Sequence, residues 1–134
     1  MKRYMLDTNT ASYIIKGNVE SVRERLKDAP AGSVCVSSIT AAELLKGAAK
    51  LPKESKLPFL VENFLSRIEV LPWAFDEAKG YAEFRTLIES KGKSLGCMDM
   101  LIAAHSHSSG TVLVTNDQAF HKLTFALKVE DWAS

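Results

Sequence analysis

Short apolar runs alternate with longer amphipathic stretches along the whole chain, a pattern that predicts a sheet covered by helices. The apolar runs predict strands at residues 3–6, 33–37, 68–72 and 111–115, and a possible edge strand at 127–129. The amphipathic stretches predict helices at residues 10–16, 19–27, 60–67, 75–90, 97–108 and 118–123, and another that reaches Lys50 from a cap at Ser38 or Thr40. Because strands and helices alternate throughout, the predicted class is α/β with a mainly parallel sheet.

Glycine and proline mark the expected boundaries between these elements. Ala29-Pro30-Ala31-Gly32 predicts a turn, the stretch from Pro52 to Pro58 predicts a break, and Gly110 is expected to close the helix before it. The sequence contains no internal repeat, low-complexity tract or linker, and 134 residues suit one domain. We therefore expect a single domain at residues 1–134.

Composition excludes a membrane protein and gives no sign of secretion. Hydrophobic residues make up 46% of the chain, yet no apolar run approaches the roughly 20 residues that span a bilayer. Asp7 comes too early for the apolar region of a signal peptide, so a cytoplasmic location is expected. Cys35 and Cys97 lie far apart in apolar surroundings, which favours two buried free thiols over a disulfide.

Four acidic residues lie where apolar runs end or helices begin, and they carry most of the functional information. These residues are Asp7, Glu43, Asp99 and Asp117. If the strands are parallel, the four could meet at the carboxyl edge of the sheet, where open α/β sheets bind ligands. Carboxylates gathered there would repel one another, and a bound divalent cation is the simplest remedy.

Each acid also has an ordinary structural explanation. Thr40-Ala41-Ala42-Glu43 fits a helix capping box. Asp99 falls in the first turn of a helix, where the helix dipole favours an acid. Asp7 and Asp117 stand in contexts typical of turns and caps. The metal-site hypothesis therefore depends on the four acids acting together.

Other candidate chemistry is weaker. His105 and His107 are two residues apart on a predicted helix, so they point to different faces and make a poor zinc pair, and His105 continues a core-facing stripe. Nucleotide-binding glycine loops are absent from the sequence. The net charge is +1, but with four of the 16 acidic residues assigned to a metal site, 17 basic residues face the remaining 12. That surplus is compatible with a nucleic-acid substrate without requiring one.

Four sequence motifs, in this order, resemble those of the PIN-domain ribonucleases. They are Asp7-Thr8-Asn9, Ala42-Glu43-Leu44 with Gly47, Gly96-x-x-Asp99 with Ile102-Ala103-Ala104, and Thr115-Asn116-Asp117. Within that family the chain is most similar to VapC-type toxins of bacterial toxin–antitoxin pairs. The resemblance covers essentially the whole chain and includes all four acidic positions.

This resemblance implies a three-layer α/β/α fold, a homodimer, and endonuclease activity on RNA that depends on Mg²⁺ or Mn²⁺. The target implied is often a structured RNA such as a transfer RNA, and a cognate VapB-type antitoxin is expected to block the site. Two rival functions stay open: a catalytically silent PIN-like module that binds RNA or protein, and a structure-specific DNA nuclease.

The donor types favour Mg²⁺ or Mn²⁺ over zinc, because hard cations prefer oxygen ligands. Asp7 and Asp99 are expected to be the main ligands, directly or through water. Glu43 and Asp117 would complete the site, hold a second ion or orient the attacking water. The side chains expected to anchor carboxylates or waters around them are Asn9, Thr115 and Asn116.

Two further sets of residues are candidates for contact with partners. Basic residues around the acidic edge could contact RNA, although each is also a plausible solvated surface residue: Lys46, Arg85, Lys91 and Lys93. An apolar stripe in the helix after the proline break could pack in the core or border a groove for an antitoxin helix: Phe59, Leu60, Phe64 and Leu65.

Overall fold

The fold, described here from a computed structural model for residues 2–134, is built around a five-stranded parallel sheet. The strands are β1 (Tyr4–Leu6), β2 (Val34–Ser37), β3 (Glu69–Leu71), β4 (Val112–Val114) and β5 (Val129–Glu130). Their spatial order is β3-β2-β1-β4-β5, and every neighbouring pair is parallel. The predicted α/β class and parallel sheet are confirmed.

Within residues 2–134, seven helices cover the two faces of this sheet. They are α1 (Thr8–Lys16), α2 (Glu20–Asp28), α3 (Ser38–Ala49), α4 (Leu57–Arg67), α5 (Phe75–Ser90), α6 (Cys97–Ser109) and α7 (Gln118–His121). Consecutive strand residues point to opposite faces, so Met5 joins a core beneath α5, α6 and α7, whereas Leu6 joins a second core beneath α1 to α4. The three-layer α/β/α architecture is therefore confirmed.

The strand register brings the carboxyl ends of the central strands to one edge. Leu6, the last residue of β1, pairs with Val36 of β2 on one side and with Val114 of β4 on the other. The chain connects β1 to β2 in one direction and later returns to place β4 on the other flank of β1. Such a reversal of strand order opens the crevice in which α/β proteins bind ligands.

Helix starts differ from the sequence-based prediction in ways that affect the acids. The cap of α3 is Ser37, whose Oγ accepts a hydrogen bond from the Ile39 amide at 3.1 Å, and not Ser38 or Thr40. Thr40 is buried inside the first turn and Glu43 lies in the second, so the predicted capping box is wrong. Helix α1 likewise begins at Thr8, two residues before its predicted start.

Three smaller expectations also need correction. Helix α4 begins at Leu57 and includes Pro58, which a first turn tolerates because its N–H groups have no partner within the helix. The edge strand lies at Val129–Glu130 rather than at 127–129. Cys35 is a buried free thiol as expected, but Cys97 is exposed because it begins α6 at the open edge of the sheet.

None of the helices in residues 2–134 combines the length and the apolar character needed to cross a bilayer.

Candidate metal and nucleic-acid site

Asp7 is the most buried of the four acids, with 4% of its surface exposed between β1 and α1. Its Oδ1 accepts a hydrogen bond from the Thr10 amide at 2.8 Å and so caps α1. Burial raises the pKa of Asp7 and the Asp117 carboxylate raises it further, while hydrogen bonds from Thr115 and Thr10 oppose the rise. The chain thus holds a desolvated carboxylate at the end of a central strand.

Asp117 lies next to Asp7 because β4 is paired with β1. Its Oδ1 accepts the Ala119 amide at 2.9 Å and caps α7, and its own amide donates to the Thr115 hydroxyl at 3.0 Å. His121 of α7 is hydrogen-bonded to the Thr115 carbonyl at 2.8 Å. The loop after β4 is therefore fixed by its own side chains, and Thr115 is hydrogen-bonded both to the Asp117 backbone amide and to the Asp7 carboxylate.

Glu43 reaches the site from α3, where it is held by a residue of another helix. The Thr8 hydroxyl, in the first turn of α1, donates a 2.5 Å hydrogen bond to Glu43 Oε1. Helices α1 and α3 follow the neighbouring strands β1 and β2, so this bond joins the two helices at the carboxyl edge of the sheet. No role was assigned to Thr8 from the sequence. Its position directly after Asp7 already indicated that it would lie at the acidic edge.

Asp99 reaches the same place from the first turn of α6. Burial raises its pKa most, followed by the Asp117, Glu43 and Asp7 carboxylates. In the part of the chain that the structure describes, the groups that shift the Asp99 pKa all raise it. The four acids predicted from the sequence are therefore close enough to repel one another.

The acids are nevertheless not gathered into a closed ligand cage. Within residues 2–134, no three His, Cys, Asp or Glu side chains are placed together so that they could hold a metal ion. Three of the carboxylates are instead engaged with the protein, Asp7 and Asp117 with helix amides and Glu43 with Thr8. The donor chemistry still fits a hard divalent cation, because all four groups offer carboxylate oxygens and their repulsion would be relieved by positive charge.

The three predicted supporting residues have different surroundings. Thr115 is buried and hydrogen-bonded to both Asp7 and Asp117, as a supporting role requires. Asn116 donates instead to the Tyr13 hydroxyl at 3.1 Å, which ties the loop after β4 to α1. Asn9 is exposed on the first turn of α1.

The four basic residues proposed to contact RNA differ from one another in their position relative to the acidic edge. Lys46 lines a hollow that includes Glu43, next to the acidic edge. Arg85 is engaged on α5, where it donates to the Tyr81 hydroxyl at 2.6 Å and to Glu89 at 3.1 Å. Lys91 and Lys93 are exposed in the loop that leads from α5 towards Asp99.

His105 connects the two helices that carry Glu43 and Asp99. It is 2% exposed, and its Nδ1 lies 2.8 Å from the hydroxyl of Ser37, the residue that caps α3. Burial lowers the pKa of His105. The prediction that His105 is a hydrogen-bonded core histidine rather than a zinc ligand agrees with this geometry.

Comparison with known proteins places this architecture in a family. The PIN domain model matches residues 4–126. Ribonuclease VapC2 from Haemophilus influenzae is 37% identical over 132 residues, which are 98% of this chain and 99% of that protein. The tRNA(fMet)-specific endonuclease VapC from Shigella flexneri is 35% identical over 133 residues, 99% of this chain and 100% of that protein.

A solved structure has the same fold over nearly the whole chain. The DNA-bound VapBC complex from Salmonella typhimurium contains a chain with a TM-score of 0.87 and 38% identity, covering 98% of this chain and 99% of that one. The chain belongs to the PIN-domain family. Within that family its full-length similarity is to VapC ribonucleases, which confirms the resemblance found in the sequence.

Proposed function

We propose that this chain is a VapC-type toxin, a metal-dependent endoribonuclease that hydrolyses phosphodiester bonds in RNA until a VapB-type antitoxin neutralises it. The observation that carries the proposal is the placement of Asp7, Glu43, Asp99 and Asp117 at one edge of a PIN fold, where the other three carboxylates raise the pKa of Asp99. The names of its relatives, which include ribonucleases and tRNA(fMet)-specific endonucleases, support RNA as the substrate. Transfer RNA is accordingly the first target to test.

Asp7 and Asp99 are the main ligands in this proposal. Burial and neighbouring carboxylates raise the pKa of both, so their ionised forms would gain most from a nearby cation. Thr115 and Thr10 fix the Asp7 carboxylate, and Thr8 orients Glu43 towards the crevice. Asp117 completes the negative edge. The chemistry that Mg²⁺ or Mn²⁺ supplies when bound is a more acidic water and charge stabilisation at the scissile phosphate.

The two rival functions fit the charge distribution less well. A pure RNA-binding module gains nothing from four carboxylates beside a phosphate backbone, since the charges repel. A DNA nuclease would use the same metal chemistry, but the relatives at 35–37% identity over nearly the full chain are named for RNA cleavage.

The antitoxin is expected to use an apolar groove of about 460 Å³ between α1, α2 and α4. Leu60 and Phe64 of the predicted apolar stripe line it, opposite Ile14 and Leu26. The groove has the composition that suits an amphipathic helix. The other two residues of the stripe lie elsewhere, Leu65 against the core and Phe59 in solvent with 70% exposure: only half of the stripe borders the groove.

A homodimer is part of the proposal, and exposed apolar side chains offer surface for it. Phe75 is 72% exposed at the start of α5, and Leu45 is 45% exposed on α3. The cytoplasmic location also stays a prediction.

The test incubates the purified protein with RNA and DNA oligonucleotides of equal sequence, with Mg²⁺, Mn²⁺ or EDTA. Cleavage of RNA only when a metal is present supports the proposal. Asp7→Asn should abolish cleavage, whereas Asp28→Asn, an exposed acid at the end of α2, should not. Preferential cleavage of DNA, or RNA binding without cleavage, would identify one of the rival functions instead.

A further inference from the structure

A second hollow, of about 340 Å³, directly adjoins the acidic edge between α3 and the start of α6. Its lining consists of Ala42, Glu43, Lys46, Gly47, Lys50 and Met98. Glu43 belongs both to this hollow and to the acidic site, and Met98 precedes Asp99 in the chain. Whatever occupies the hollow therefore contacts Glu43 and lies beside the residue that precedes Asp99.

One face of α3 forms most of the wall. Lys46 and Gly47 follow Glu43 by three and four residues, and Lys50, the cap directly after α3, follows it by seven. This spacing places the four side chains on one helix face. Charge changes along this face, from negative at Glu43 to positive at Lys46 and Lys50. An RNA strand that extends from the acidic site along α3 would thus have Lys46 and Lys50 beside its phosphates, where the carboxylates alone would repel it.

Neither the packing around position 47 nor its backbone conformation requires a glycine. A Cβ built there meets no atom within 4 Å, and its φ lies outside the left-handed region that favours glycine. Glycine inside a helix is destabilising compared with alanine. The missing side chain instead leaves bare helix backbone beside the hollow, facing a space bordered on α6 by Met98, which is 40% exposed.

We propose that this hollow binds one unpaired nucleotide of the RNA substrate, adjacent to the scissile phosphate. Lys46 and Lys50 would hold its phosphates, and the base would lie on the Gly47 backbone and the Met98 thioether. The volume is near the lower limit for small-ligand sites, which suits a single nucleotide and not a duplex. A base held in this way must be unpaired and splayed out of any helix. This subsite rests on the proposed function.

The experiment measures binding of a fluorescein-labelled single-stranded oligoribonucleotide by anisotropy, in an Asp7→Asn background that keeps the RNA intact. Lys46→Gln with Lys50→Gln should weaken binding about tenfold and lower the salt-dependence slope by about 1.4, for two lost phosphate contacts to a single strand. The matched control is Lys16→Gln with Lys27→Gln, two exposed lysines on α1 and α2.

Gly47→Leu separates a binding role from a structural one. Leucine is a better helix former than glycine and the site is open, so the thermal midpoint should stay constant or rise. RNA affinity should nevertheless fall roughly tenfold, within the range for the loss of one stacked base. Wild-type cleavage sites on a folded RNA should map to unpaired nucleotides.

Three results would overturn the subsite. The variant with Lys46→Gln and Lys50→Gln could show the same RNA affinity and the same salt slope as the control variant. Gly47→Leu could bind RNA as tightly as the wild-type residue does. The variants could also weaken antitoxin binding alone, which would make the hollow a protein-contact site. If the wild type cleaves no RNA at all, both the proposed function and the subsite are refuted. If the wild type cleaves RNA and the variants bind RNA as tightly as the control, only the subsite is refuted.

Discussion

The hydrogen bond from Thr8 to Glu43 gives the sharpest test of how the acidic edge is organised. Thr8→Val keeps the shape of the side chain but removes the only hydroxyl that it carries. The lost bond is 2.5 Å long, joins two partly buried groups and has a carboxylate as acceptor. Hydrogen bonds to charged groups contribute about 1.5–3 kcal/mol, so removing this one frees Glu43 to leave its position.

The expected effect on catalysis follows from that energy. If the bond serves to position Glu43, about 1.5 kcal/mol corresponds to a roughly tenfold fall in kcat. KM for RNA should change little, because Thr8 is not part of the hollow or of any basic surface. The concentration of Mn²⁺ that gives half-maximal activity should rise, since a mobile Glu43 is a poorer donor. Thermal stability should change only slightly at this helix start.

Steady-state cleavage of a labelled RNA at varied RNA and Mn²⁺ concentrations measures kcat, KM and the metal dependence, and thermal unfolding measures the stability. Thr8→Ser keeps the hydroxyl and should restore most of the activity. Thr86→Val is the matched control, because that hydroxyl bonds only to a carbonyl of its own helix, away from the acids. Wild-type kcat and metal dependence in Thr8→Val would refute the positioning role, as would an equal loss in Thr8→Ser.

Three further predictions concern the core and the partner surface. Phe84→Ala should cost about 3–5 kcal/mol in urea unfolding, because Phe84 is fully buried, while Phe125→Ala at a half-exposed site should cost far less. Burial lowers the pKa of His105, so its contribution to stability is complete above the unfolded-state pKa of about 6.5 and is lost as pH falls towards the folded-state value. The fall in thermal midpoint from pH 7.5 to 5.5 should be smaller in His105→Gln, and an equal fall would contradict this account. Leu60→Asp should weaken antitoxin binding in calorimetry and leave RNA cleavage unchanged, whereas Phe59→Ser should change neither property. Equal effects of the two on antitoxin binding would place the antitoxin elsewhere.

The sheet and the proximity of the four acids were predictable because both depend on local pattern. Apolar runs located the strands to within two residues, and acids at run ends and helix starts converge once the strands are parallel. Asp7 and Asp117 illustrate this, since pairing of β1 with β4 brings them together without any further information. The parallel arrangement itself follows from the helices that separate successive strands.

The contacts that organise the site depend on long-range packing and were not predictable. The bond between Thr8 and Glu43 joins residues 35 apart in sequence, and the contact between Ser37 and His105 joins residues 68 apart. Ser37 is both the last residue of β2 and the cap of α3, so the strand pattern concealed the cap. The capping-box explanation for Glu43 failed for this reason, and its failure removes the main structural alternative for that acid.

The positions of the groove and the acidic edge constrain how an antitoxin can inhibit this protein. The groove is lined by Val34 and Glu69, the first residues of β2 and β3, whereas the acids lie beyond the carboxyl ends of the strands. The length of β2 alone separates these ends by roughly 10 Å. If the antitoxin helix binds in the groove, as proposed, it would anchor the antitoxin without covering the carboxylates, and inhibition would require a further segment that reaches the crevice. Anchoring and blocking should then be separable: Leu60→Asp would lower the affinity of the complex, yet at saturating antitoxin the nuclease would still be fully inhibited.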